Sequence, residues 1–367
     1  MTETSVTPSP FEPDVAIVGA GIAGLAAASV LADRGRRVVV VEKSRGIGGR
    51  MATRRLGAAI CDHGAQFFTV RGAAFGGLVD DARAAGGVAV WCEGFAQAAS
   101  VAVAATPAAD GHPRWRGVRG MTDLPKRLAA RLPAERCVVR TGCQATAVGR
   151  DREGVWITVD AGADAGGPAT FRAAAAIVTS PVPQSLTLLA AGGLDGTVGG
   201  VDPAVQRQLA GVGYDPAFAL MLVLRGPSLV PAPGGIQFAG GPVSWLADNQ
   251  QKGISPVPAL TVHASAEFSR RHFDASPEEV VSALIDHVRP WIDGDPAEAI
   301  VERSLHRWKF ATPTTILPVP WVEAVAAPPI LCCGDAFGGP KVEGAAASGL
   351  AAGHRVAEHL ADGPAGP

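Results

Sequence analysis

The chain has 367 residues, of which 47% are hydrophobic and 18% are charged, and its formal net charge is −2. This length predicts two domains, and the composition excludes a disordered chain, a basic nucleic-acid-binding surface and an acidic tail. The six cysteines are Cys61, Cys92, Cys137, Cys143, Cys332 and Cys333. They contain no Cys-x-x-Cys pair, which argues against a metal site or disulfide framework and favours reduced thiols in a cytoplasmic protein.

The N-terminal region begins with a predicted disordered tail over residues 1–12. Val15 to Leu31 is nearly all apolar, but Glu12 and Asp14 precede it where a signal peptide needs basic residues. A membrane helix does not explain the spacing of its glycines. We therefore interpret this stretch as a strand, a turn and a helix, and we expect no membrane association.

A βαβ unit is predicted next. Asp14–Val18 has the pattern of a buried parallel strand, an Ala-rich helix runs to about Arg34, and Arg37–Val41 forms the second strand. The turn reads Gly19-x-Gly21-x-x-Gly24, in which the glycines permit a tight turn, close approach to a pyrophosphate and close helix–strand packing. We expect the N–H groups of Ile22, Ala23 and Gly24 to face the phosphates.

Glu42 ends the second strand, 18 residues after Gly24. An acid at this position accepts the two ribose hydroxyls of an adenosine and repels a 2′-phosphate, so NADP is disfavoured in this site.

Two further motifs distinguish FAD from NAD. Gly46-Ile-Gly48-Gly49-Arg50-Met51 follows the second strand, and Arg50 is expected to reach the pyrophosphate. Near the other end, Gly334-Asp335 closes a strand, and Asp335 is expected to accept a ribityl hydroxyl. The amides from Lys341 to Gly344 begin a helix that is expected to face the N1–C2=O edge of the flavin. Three separated motifs in this order predict FAD.

The rest of the chain supplies the remaining elements. The predicted strands and helices are two or three strands in Cys137–Val159, strands at Ala174–Thr179, Ala217–Leu224, Leu260–Ser265 and Pro328–Cys333, and helices at Pro277–Trp291 and Gly344–Leu360. Residues 72–120 show only weak helical character, and residues 161–169 read as a low-complexity loop. The predicted fold is α/β. A Rossmann-like FAD domain comprises residues 13–75, 118–185 and 326–367, and an inserted mixed-sheet α+β substrate domain comprises residues 76–117 and 186–325.

These motifs make the chain similar to the monoamine-oxidase-like flavoprotein superfamily and, within it, to the bacterial renalases. The superfamily motifs are Gly19–Gly24, Glu42-Lys43 and Gly48–Met51. The renalase-like motifs are Lys43–Gly46, Asp62–Thr69, Arg119–Met121, Trp245–Asn249, His263–Ser265, His306–Trp308, Cys333–Asp335, Val342–Gly344 and Ser348-Gly349. The resemblance spans residues 13–360 and implies an amine-oxidase-like architecture.

The resemblance also implies a set of site residues. The cofactor-binding residues would be Gly19, Gly21, Ile22, Ala23, Gly24, Glu42, Lys43, Gly49, Arg50, Met51, Gly64, Ala65, Gln66, Ala145, Thr179, Gly334, Asp335, Lys341, Val342 and Ala345. The substrate residues would be Ala65, Gln66, Phe67, Phe68, Thr69, Ala217, Phe218, Trp245, His263, Trp308 and Lys341. No catalytic side chain and no metal ligand is implied, because the flavin N5 atom is the hydride acceptor.

Three positions depart from the renalase pattern. Phe67 stands where a tyrosine is usual, Lys341 stands where an arginine is usual, and Asp215-Pro216-Ala217-Phe218 replaces Asp-Pro-Thr-Trp. Lys341 keeps the charge and loses the bidentate fork of arginine. These departures bear on substrate preference and leave the flavin motifs intact.

The reaction implied by the resemblance is oxidation of 2- or 6-dihydro isomers of NAD(P) to NAD(P)⁺. A hydride passes to flavin N5, and dioxygen then reoxidises the flavin to give hydrogen peroxide. Aromatisation of the ring drives the step, so the protein needs to stack and orient the substrate more than to transfer protons.

Two alternatives stay open at this point. One is an amine oxidase or desaturase of the same superfamily, although the chain has a single tyrosine, Tyr214. The other is a non-catalytic binding protein on the same fold. Cys332 and Cys333 precede Gly334 and are not placed to reach the flavin ring, so the flavin is expected to be bound non-covalently.

Several individual residues have plainer interpretations. His263 and His306 lie in apolar strand surroundings that suit hydrogen-bonded core histidines as well as site residues, and Trp245 and Trp308 suit either the core or a pocket wall. Asp62 is expected to shape a turn. Lys252, Arg270 and Arg271 are expected to be solvated.

Overall fold

The computed structural model describes residues 11–99, 109–161, 167–196 and 199–362. Residues 1–10 of the predicted tail and 162–166 of the predicted loop lie outside these residues. The chain divides into two compact units. Unit 1 comprises Met1–Gly49, Leu128–Gly213 and Pro313–Pro367, and unit 2 comprises Arg50–Arg127 and Tyr214–Thr312.

The helices and strands of the described residues are given in chain order. The helices are α1 (Ile22–Asp33), α2 (Ala73–Ala84), α3 (Asp123–Arg131), α4 (Val182–Ala191), α5 (Pro203–Ala210), α6 (Ala266–Arg271), α7 (Pro277–Val288), α8 (Pro296–Ala299) and α9 (Lys341–Asp362). The strands are β1 (Val15–Val18), β2 (Val38–Glu42), β3 (Thr53–Leu56), β4 (Ala59–Asp62), β5 (Val88–Cys92), β6 (Ala96–Ala98), β7 (Arg114–Gly117), β8 (Cys137–Thr141), β9 (Gln144–Asp151), β10 (Gly154–Asp160), β11 (Pro168–Ala173), β12 (Ala175–Val178), β13 (Tyr214–Leu224), β14 (Gly235–Phe238), β15 (Val243–Asp248), β16 (Ala259–Ala264), β17 (Ile300–Pro313), β18 (Val322–Val325) and β19 (Ile330–Cys332).

Unit 1 is built on a six-stranded sheet in the order β18-β19-β12-β1-β2-β8. The strands from β19 to β8 run parallel, and β18 pairs antiparallel with β19. Strands β1, β2, β12 and β19 are buried along their whole length, as expected of a parallel sheet covered on both faces. Helix α9 packs so closely on α1 that a Cβ on Gly349 would lie 2.0 Å from the carbonyl oxygen of Ala23.

Unit 2 is built on a mixed sheet in the order β17-β13-β16-β15-β14-β6, in which β14 and β6 are parallel. Side chains alternate between its two faces. One face carries an apolar core that includes Leu220, Val262 and Leu284 of α7. His263 lies on the other face of the sheet. Its lateral partners on the neighbouring strands are Ala219 on β13 and Trp245 on β15. This second face carries His263 and Trp245, which belong to the polar and aromatic groups described below.

Several predicted elements are confirmed with small shifts in their ends. The α-helix that begins at Pro277 ends at Val288 and continues as a 3₁₀ turn, Arg289–Trp291, because Pro290 has no N–H to continue the α-helical bonding. Helix α9 begins at Lys341, three residues before the predicted Gly344. The strands that were not predicted are β3, β4, β5, β6, β7, β11, β14, β15, β17 and β18. Strand propensity depends strongly on the partners that folding supplies.

The bounds of the compact units differ from those of the predicted domains. Residues 50–75 and 118–127 group with unit 2, and residues 186–213 and 313–325 group with unit 1. The first shift has a packing cause. Leu56 and Cys61 of the β3–β4 hairpin share a buried cluster with Met221 and Ala259 of the mixed sheet. Assignment of the units as FAD and substrate domains remains a prediction.

Candidate active site

The first glycine motif of unit 1 lies at the carboxyl end of β1. Gly19 has φ +104°, and a Cβ on Gly24 would lie 2.0 Å from the Gly19 carbonyl oxygen, so neither position accepts a side chain. A Cβ on Gly21, in contrast, would meet no protein atom within 4 Å. The space beside Gly21 is therefore open to a ligand group that approaches the protein backbone.

Helix α1 begins beside this space. Gly21 is its N-cap residue, no side chain caps it, and its first turn has no acidic residue. The N–H groups of Ile22, Ala23 and Gly24 have no intrahelical acceptor, since the first intrahelical bond runs from Leu25 to Gly21. These donors and the positive end of the helix dipole form an anion-binding terminus.

Glu42 is buried at the carboxyl end of β2, with 6% of its surface exposed. Its two carboxylate oxygens accept the backbone N–H groups of Ala20 at 2.9 Å and of Ser44 at 2.8 Å. A carboxylate has about four lone-pair sites. Glu42 therefore braces the glycine loop and retains acceptor capacity for hydroxyl groups of a ligand.

The second glycine motif lies against the first. Gly48 donates its N–H to the Ala20 carbonyl oxygen at 2.9 Å and pairs with Gly21 in an isolated bridge. A Cβ on Gly49, which has φ +54°, would lie 3.4 Å from the Gly21 Cα atom. The two motifs thus form one glycine-rich surface in unit 1.

The third motif follows β19, on the same edge of the parallel sheet. Gly334 has φ +139° and donates its N–H to Ser348 Oγ at 2.8 Å, and Ser348 donates in turn to the Pro320 carbonyl oxygen at 2.5 Å. Asp335 follows and is 9% exposed. Since β1, β2, β12 and β19 are neighbouring parallel strands, Gly19, Glu42, Thr179 and Asp335 all lie at their carboxyl ends, where open α/β sheets bind ligands.

The remaining predicted cofactor residues of unit 1 have various environments. Thr179 donates its hydroxyl to the Val18 carbonyl oxygen at 2.8 Å, which fixes the Gly19 turn. Ala145 follows the β8–β9 turn, whose Cys143 N–H bonds to the Glu42 carbonyl oxygen at 2.8 Å. Lys43 is exposed, while Val342 and Ala345 are buried in the first turns of α9. Lys341 is exposed and has φ +77°.

These features fit FAD. The Rossmann edge offers open space at Gly21, unpaired helix N–H groups for phosphates and a buried carboxylate for ribose hydroxyls. Such a donor set has no other evident use in the described structure of unit 1.

In unit 2, the segment Asp62–Gln66 is held by a buried ion pair that was not predicted. Lys252 and Asp62 side chains are both 0% exposed, and Lys252 Nζ donates to Asp62 Oδ2 at 2.6 Å. Nζ also donates to the Gln66 carbonyl oxygen at 2.6 Å and lies 4.9 Å from the centre of the Trp91 ring. The prediction that Lys252 is solvated was wrong. Its partners are 186 and 190 residues earlier in the chain, and no local sequence pattern predicts them.

Asp62 has further donors. Its Oδ1 accepts the Thr53 hydroxyl at 2.5 Å and the Met121 N–H at 2.8 Å. The carboxylate therefore connects three segments of unit 2 and is a structural anchor. Arg270 and Arg271 remain exposed, as predicted, in surface ion pairs with Asp215 and Glu267.

The side-chain amide of Gln66 is held in one orientation close to Asp62. Nε2 lies 2.6 Å from the Asp62 carbonyl oxygen, 3.1 Å from that of Gly64 and 3.3 Å from His263 Nε2. The two carbonyl oxygens can only accept, which identifies this atom as the amide nitrogen. Oε1 is then buried without a hydrogen-bond partner among the described residues.

An aromatic cluster adjoins Gln66. Phe67, Trp91, Phe95 and Trp245 contact one another with ring centroids 4.7–6.3 Å apart. Trp91 donates its indole N–H to the Pro233 carbonyl oxygen at 2.8 Å, whereas the buried Trp245 indole N–H lacks a partner among the described residues. The sequence predicted Phe67 and Trp245 and missed Trp91 and Phe95.

Histidines form a second group in unit 2. The Trp308 indole N–H donates to the His63 carbonyl oxygen at 2.8 Å, and the His63 ring stacks on Trp308 at 5.6 Å and meets His306 edge-on at 4.9 Å. Burial, with His306 as a further cause, lowers the pKa of His63 to about 3. Burial and then the Lys252 charge lower the pKa of His263 to about 4. Both imidazoles are therefore neutral at neutral pH.

Two predicted substrate residues lie elsewhere. Phe218 is 1% exposed and packs in the apolar core on the other face of the sheet from His263. Its neighbours Ala217 and Ala219 alternate to the His263 face. Phe68 is 3% exposed and packs edge-on against Phe75 of α2. The structure does not bring these two rings to the Gln66 group, so we remove them from the candidate substrate surface.

Other predicted residues of unit 2 serve the backbone. Ala65 donates its N–H to the Arg50 carbonyl oxygen at 2.8 Å, and a Cβ on Gly64 would lie 2.0 Å from the same oxygen. The Arg50 guanidinium donates to the carbonyl oxygens of Phe310 and Ala311, both at 3.3 Å. Met51 is buried, and Thr69 is partly exposed. Arg50 thus has protein partners besides the predicted pyrophosphate.

Fold and site together define a flavin-dependent oxidoreductase. Residues 17–82 match the NAD(P)-binding Rossmann-like domain, and residues 84–357 match the flavin containing amine oxidoreductase family. The second match covers more than half of the chain, so the chain belongs to that family. Its cofactor is FAD.

Individual relatives agree with this assignment at the level of the fold. Cyclohexylamine oxidase from Brevibacterium oxydans IH-35A is 15% identical with a TM-score of 0.69, and the match covers 95% of this chain and 100% of that one. Wild-type putrescine oxidase bound to putrescine is 16% identical with a TM-score of 0.67, over 94% and 99% of the two chains.

A curated relative is similar over a short stretch only. The carotenoid phi-ring synthase of Streptomyces griseus is 58% identical over 40 residues, which is 11% of this chain and 8% of that protein. Such a short match does not extend to the activity of the whole protein.

Among the described residues, no helix is long and apolar enough to cross a membrane. The same residues contain no group of three or more His, Cys, Asp or Glu side chains suited to a metal ion.

Proposed function

We propose that the protein oxidises 2- or 6-dihydro isomers of NAD(P) to NAD(P)⁺, in a renalase-like reaction. FAD, when bound, supplies the hydride acceptor and passes two electrons to dioxygen, which gives hydrogen peroxide. The observation that carries the proposal is the character of the polar face of unit 2. It combines flat aromatic rings and neutral imidazoles with a buried acid, Asp62, whose oxygens are already engaged.

This face suits a neutral ring that loses a hydride. A dihydropyridine needs a stacking surface and hydrogen bonds, and it needs no base because no proton leaves with the hydride. The cluster around Phe67 and Trp245 offers the stacking surface. Residues of unit 1 would hold the cofactor, with the α1 N-terminus at the pyrophosphate, Glu42 at the adenosine ribose and Asp335 at the ribityl chain.

Lys341 is the proposed contact for the substrate's pyrophosphate. It is an exposed cation at the start of α9, where the helix dipole disfavours a positive charge, and its φ of +77° is uncommon for a residue with a side chain. A dinucleotide substrate offers an anion that would offset the unfavourable charge. An amine substrate carries the opposite charge and would be repelled.

Oxidation of an amine is the second candidate. The structural likeness to putrescine and cyclohexylamine oxidases favours it, although at 15–16% identity that likeness concerns the fold. The desolvation that keeps His63 and His263 neutral would also disfavour an ammonium ion. Tyr214, the sole tyrosine in the sequence, contacts Phe310 and the Arg50 guanidinium.

The flavin is proposed to be non-covalent. Cys332 and Cys333 are buried at the end of β19, and burial raises the pKa of Cys332 to about 12. A buried protonated thiol is a poor nucleophile. Mild denaturation should therefore release intact FAD into solution. Flavin that remains with the precipitated polypeptide would contradict this.

The deciding experiment mixes the FAD-loaded protein anaerobically with the 2-, 4- and 6-dihydro isomers of NAD and NADP and records bleaching of the flavin absorbance. Fast bleaching by the 2- or 6-isomer with release of NAD(P)⁺ supports the proposal. Faster bleaching by putrescine or benzylamine would replace it with amine oxidation. A colourless protein that gains no flavin on addition of FAD would favour the non-catalytic alternative.

The same experiment on Lys341→Ala and Lys341→Arg tests the pyrophosphate contact. The alanine variant should need a higher substrate concentration for half-maximal bleaching, with a smaller change in the limiting rate, and the arginine variant should retain binding. Arg83→Ala, on the exposed surface of α2, is the matched control. An alanine variant with unchanged concentration dependence would show that Lys341 makes no contact with substrate.

A further inference from the structure

The inference concerns Ser348, a buried serine of α9 to which the proposed function assigns no role. Ser348 is 1% exposed. A serine inside a helix commonly donates to the carbonyl oxygen four residues earlier. Ser348 bonds instead to two segments outside its own helix, since it accepts the Gly334 N–H at 2.8 Å and donates to the Pro320 carbonyl oxygen at 2.5 Å. The hydroxyl therefore ties α9 to two other parts of unit 1.

Gln-free backbone bonding fixes Gly334, which directly precedes the predicted ribityl contact Asp335. Gly334 has φ +139°, and a glycine has wide conformational freedom unless its neighbours restrain it. Ser348 holds its N–H, and Phe337 donates an N–H to its carbonyl oxygen at 3.1 Å. The peptide groups on both sides of Gly334 are thus held, and they set the direction in which the chain continues into Asp335.

The chain on the other side of Asp335 is held by the segment Leu317–Pro320. Leu317 donates its N–H to the carbonyl oxygen of Ala336, the residue after Asp335, at 2.8 Å. Pro320, at the end of the same segment, accepts the Ser348 hydroxyl. Ser348 therefore bonds both to the residue before Asp335 and to the segment that holds the residue after it.

The next residue of α9, Gly349, contacts the other end of the predicted FAD site. A Cβ on Gly349 would lie 2.0 Å from the carbonyl oxygen of Ala23, so the two helix backbones meet at this point. Ala23 lies in the first turn of α1, whose free N–H groups are predicted to bind the FAD phosphates. Consecutive residues of α9 thus contact the phosphate-binding helix end and the turn that carries Asp335.

We propose that Ser348 is a positioning residue, which fixes Asp335 relative to the N-terminus of α1 so that one FAD molecule can contact both. Its hydroxyl proton is already donated to Pro320, so Ser348 acts on FAD through Asp335. The proposal rests on the ribityl contact proposed for Asp335, and it is independent of the substrate of the reaction.

The test is a double-mutant cycle in the full-length chain, with the wild type, Ser348→Ala, Asp335→Ala and the double variant. Alanine removes the hydroxyl, adds no atom and favours a helix. Ser269→Ala is the matched control, because Ser269 is a buried serine of α6 in unit 2 whose Oγ accepts the Phe218 N–H at 3.3 Å. Both serine variants leave a buried backbone N–H without its acceptor, but only one of them adjoins Asp335.

The first readout is the dissociation constant for FAD, measured by fluorescence titration. Ser348→Ala should raise it at least about fivefold in the wild-type background and less than about twofold in the Asp335→Ala background, where no carboxylate is left to misplace. Ser269→Ala should match the wild type, although its thermal stability falls. A purely structural role of Ser348 would give equal fold-changes in the two backgrounds, which would overturn the proposal. Wild-type FAD affinity in Asp335→Ala would overturn it as well.

The second readout uses the wild type alone and decides the case in which Ser348→Ala does not fold. Hydrogen exchange of the peptide that covers Gly334–Gly338 is measured by mass spectrometry with and without FAD. The peptide should be protected before FAD is added, and FAD should slow its exchange by less than about threefold. Protection that arises only with FAD would show that the cofactor orders this turn, and the proposal would fail. Neither readout uses a substrate, so both remain decisive if no dihydronicotinamide isomer bleaches the flavin.

Discussion

The candidate sites of the two units are built in different ways. In unit 1, backbone groups and glycines at the ends of neighbouring parallel strands form the site, and few side chains take part. In unit 2, side chains from β4, β15, β16 and β17 and from the loop after β4 form it. The first site therefore depends mainly on its glycines and on Glu42. The second depends on specific side-chain contacts, which suits a region that determines substrate choice.

The largest expected effect separates packing from ligand approach within unit 1. Gly24→Ala should destabilise unit 1 by more than about 3 kcal/mol, because its Cβ would lie 2.0 Å from a backbone oxygen that cannot move independently. Gly21→Ala meets no protein atom and should fold normally, yet bind FAD poorly. Thermal unfolding and flavin content distinguish the two. Equal thermal stability of both variants would contradict the packing argument, and full flavination of Gly21→Ala would show that the pyrophosphate lies elsewhere.

A smaller effect is expected at Glu42, the buried acid beside the first glycine motif. Glu42→Ala leaves the buried N–H groups of Ala20 and Ser44 without an acceptor and removes the ribose contact. Each such charge-assisted bond is worth about 1.5–3 kcal/mol. The dissociation constant for FAD, measured by fluorescence titration, should rise at least about tenfold in the alanine variant. The constant for Glu42→Gln should lie between those of the wild type and the alanine variant. Wild-type affinity in the alanine variant would place the adenosine away from Glu42.

The histidines predict a pH dependence that belongs to unit 2. The folded-state pKa values of His63, about 3, and His263, about 4, lie below the ordinary 6.5. Between pH 6.5 and about 4 the unfolded chain therefore binds protons that the folded chain does not, and stability falls as pH falls. Each histidine should cost about 2 kcal/mol by pH 5.

Guanidinium unfolding at about pH 7.5 and pH 5 measures this loss. His263→Asn should reduce it, and substitution of the exposed His112 by glutamine should not. Equal loss in wild type and His263→Asn would indicate that other groups control acid sensitivity.

The smallest effect is expected at Lys341, where strain and function are in conflict. A left-handed backbone costs a residue with a side chain about 1–2 kcal/mol, and glycine avoids this cost. Lys341→Gly should therefore raise the unfolding free energy by up to about 1 kcal/mol and weaken dihydro-NAD binding. Denaturant unfolding and anaerobic bleaching measure the two effects. A variant that is less stable than the wild type would show that the Lys341 side chain contributes more to folding than its backbone costs.

Local sequence determined most of unit 1. Glycine spacing, buried valine runs and an acid at a strand end depend only on neighbouring residues, so the βαβ unit and the FAD motifs were predictable. The same applies to α7 and to the hydrophobic strands β12, β13 and β16, whose approximate positions were predicted. Gln66, Phe67, Trp245 and His263 were named through the resemblance, and the structure brings these four together.

Tertiary structure alone decided the remainder. Side chains along β13 alternate between the two faces of the sheet, and this alternation places Phe218 in the apolar core. The resemblance had instead implied that Phe218 and Ala217 are both substrate residues. Lys252 was expected at the surface, but it is buried and pairs with Asp62, 190 residues earlier in the chain. Such long-range pairs have no local signal, because a lysine is buried only where folding brings a carboxylate and a carbonyl oxygen to it, and only the assembled sheet does that.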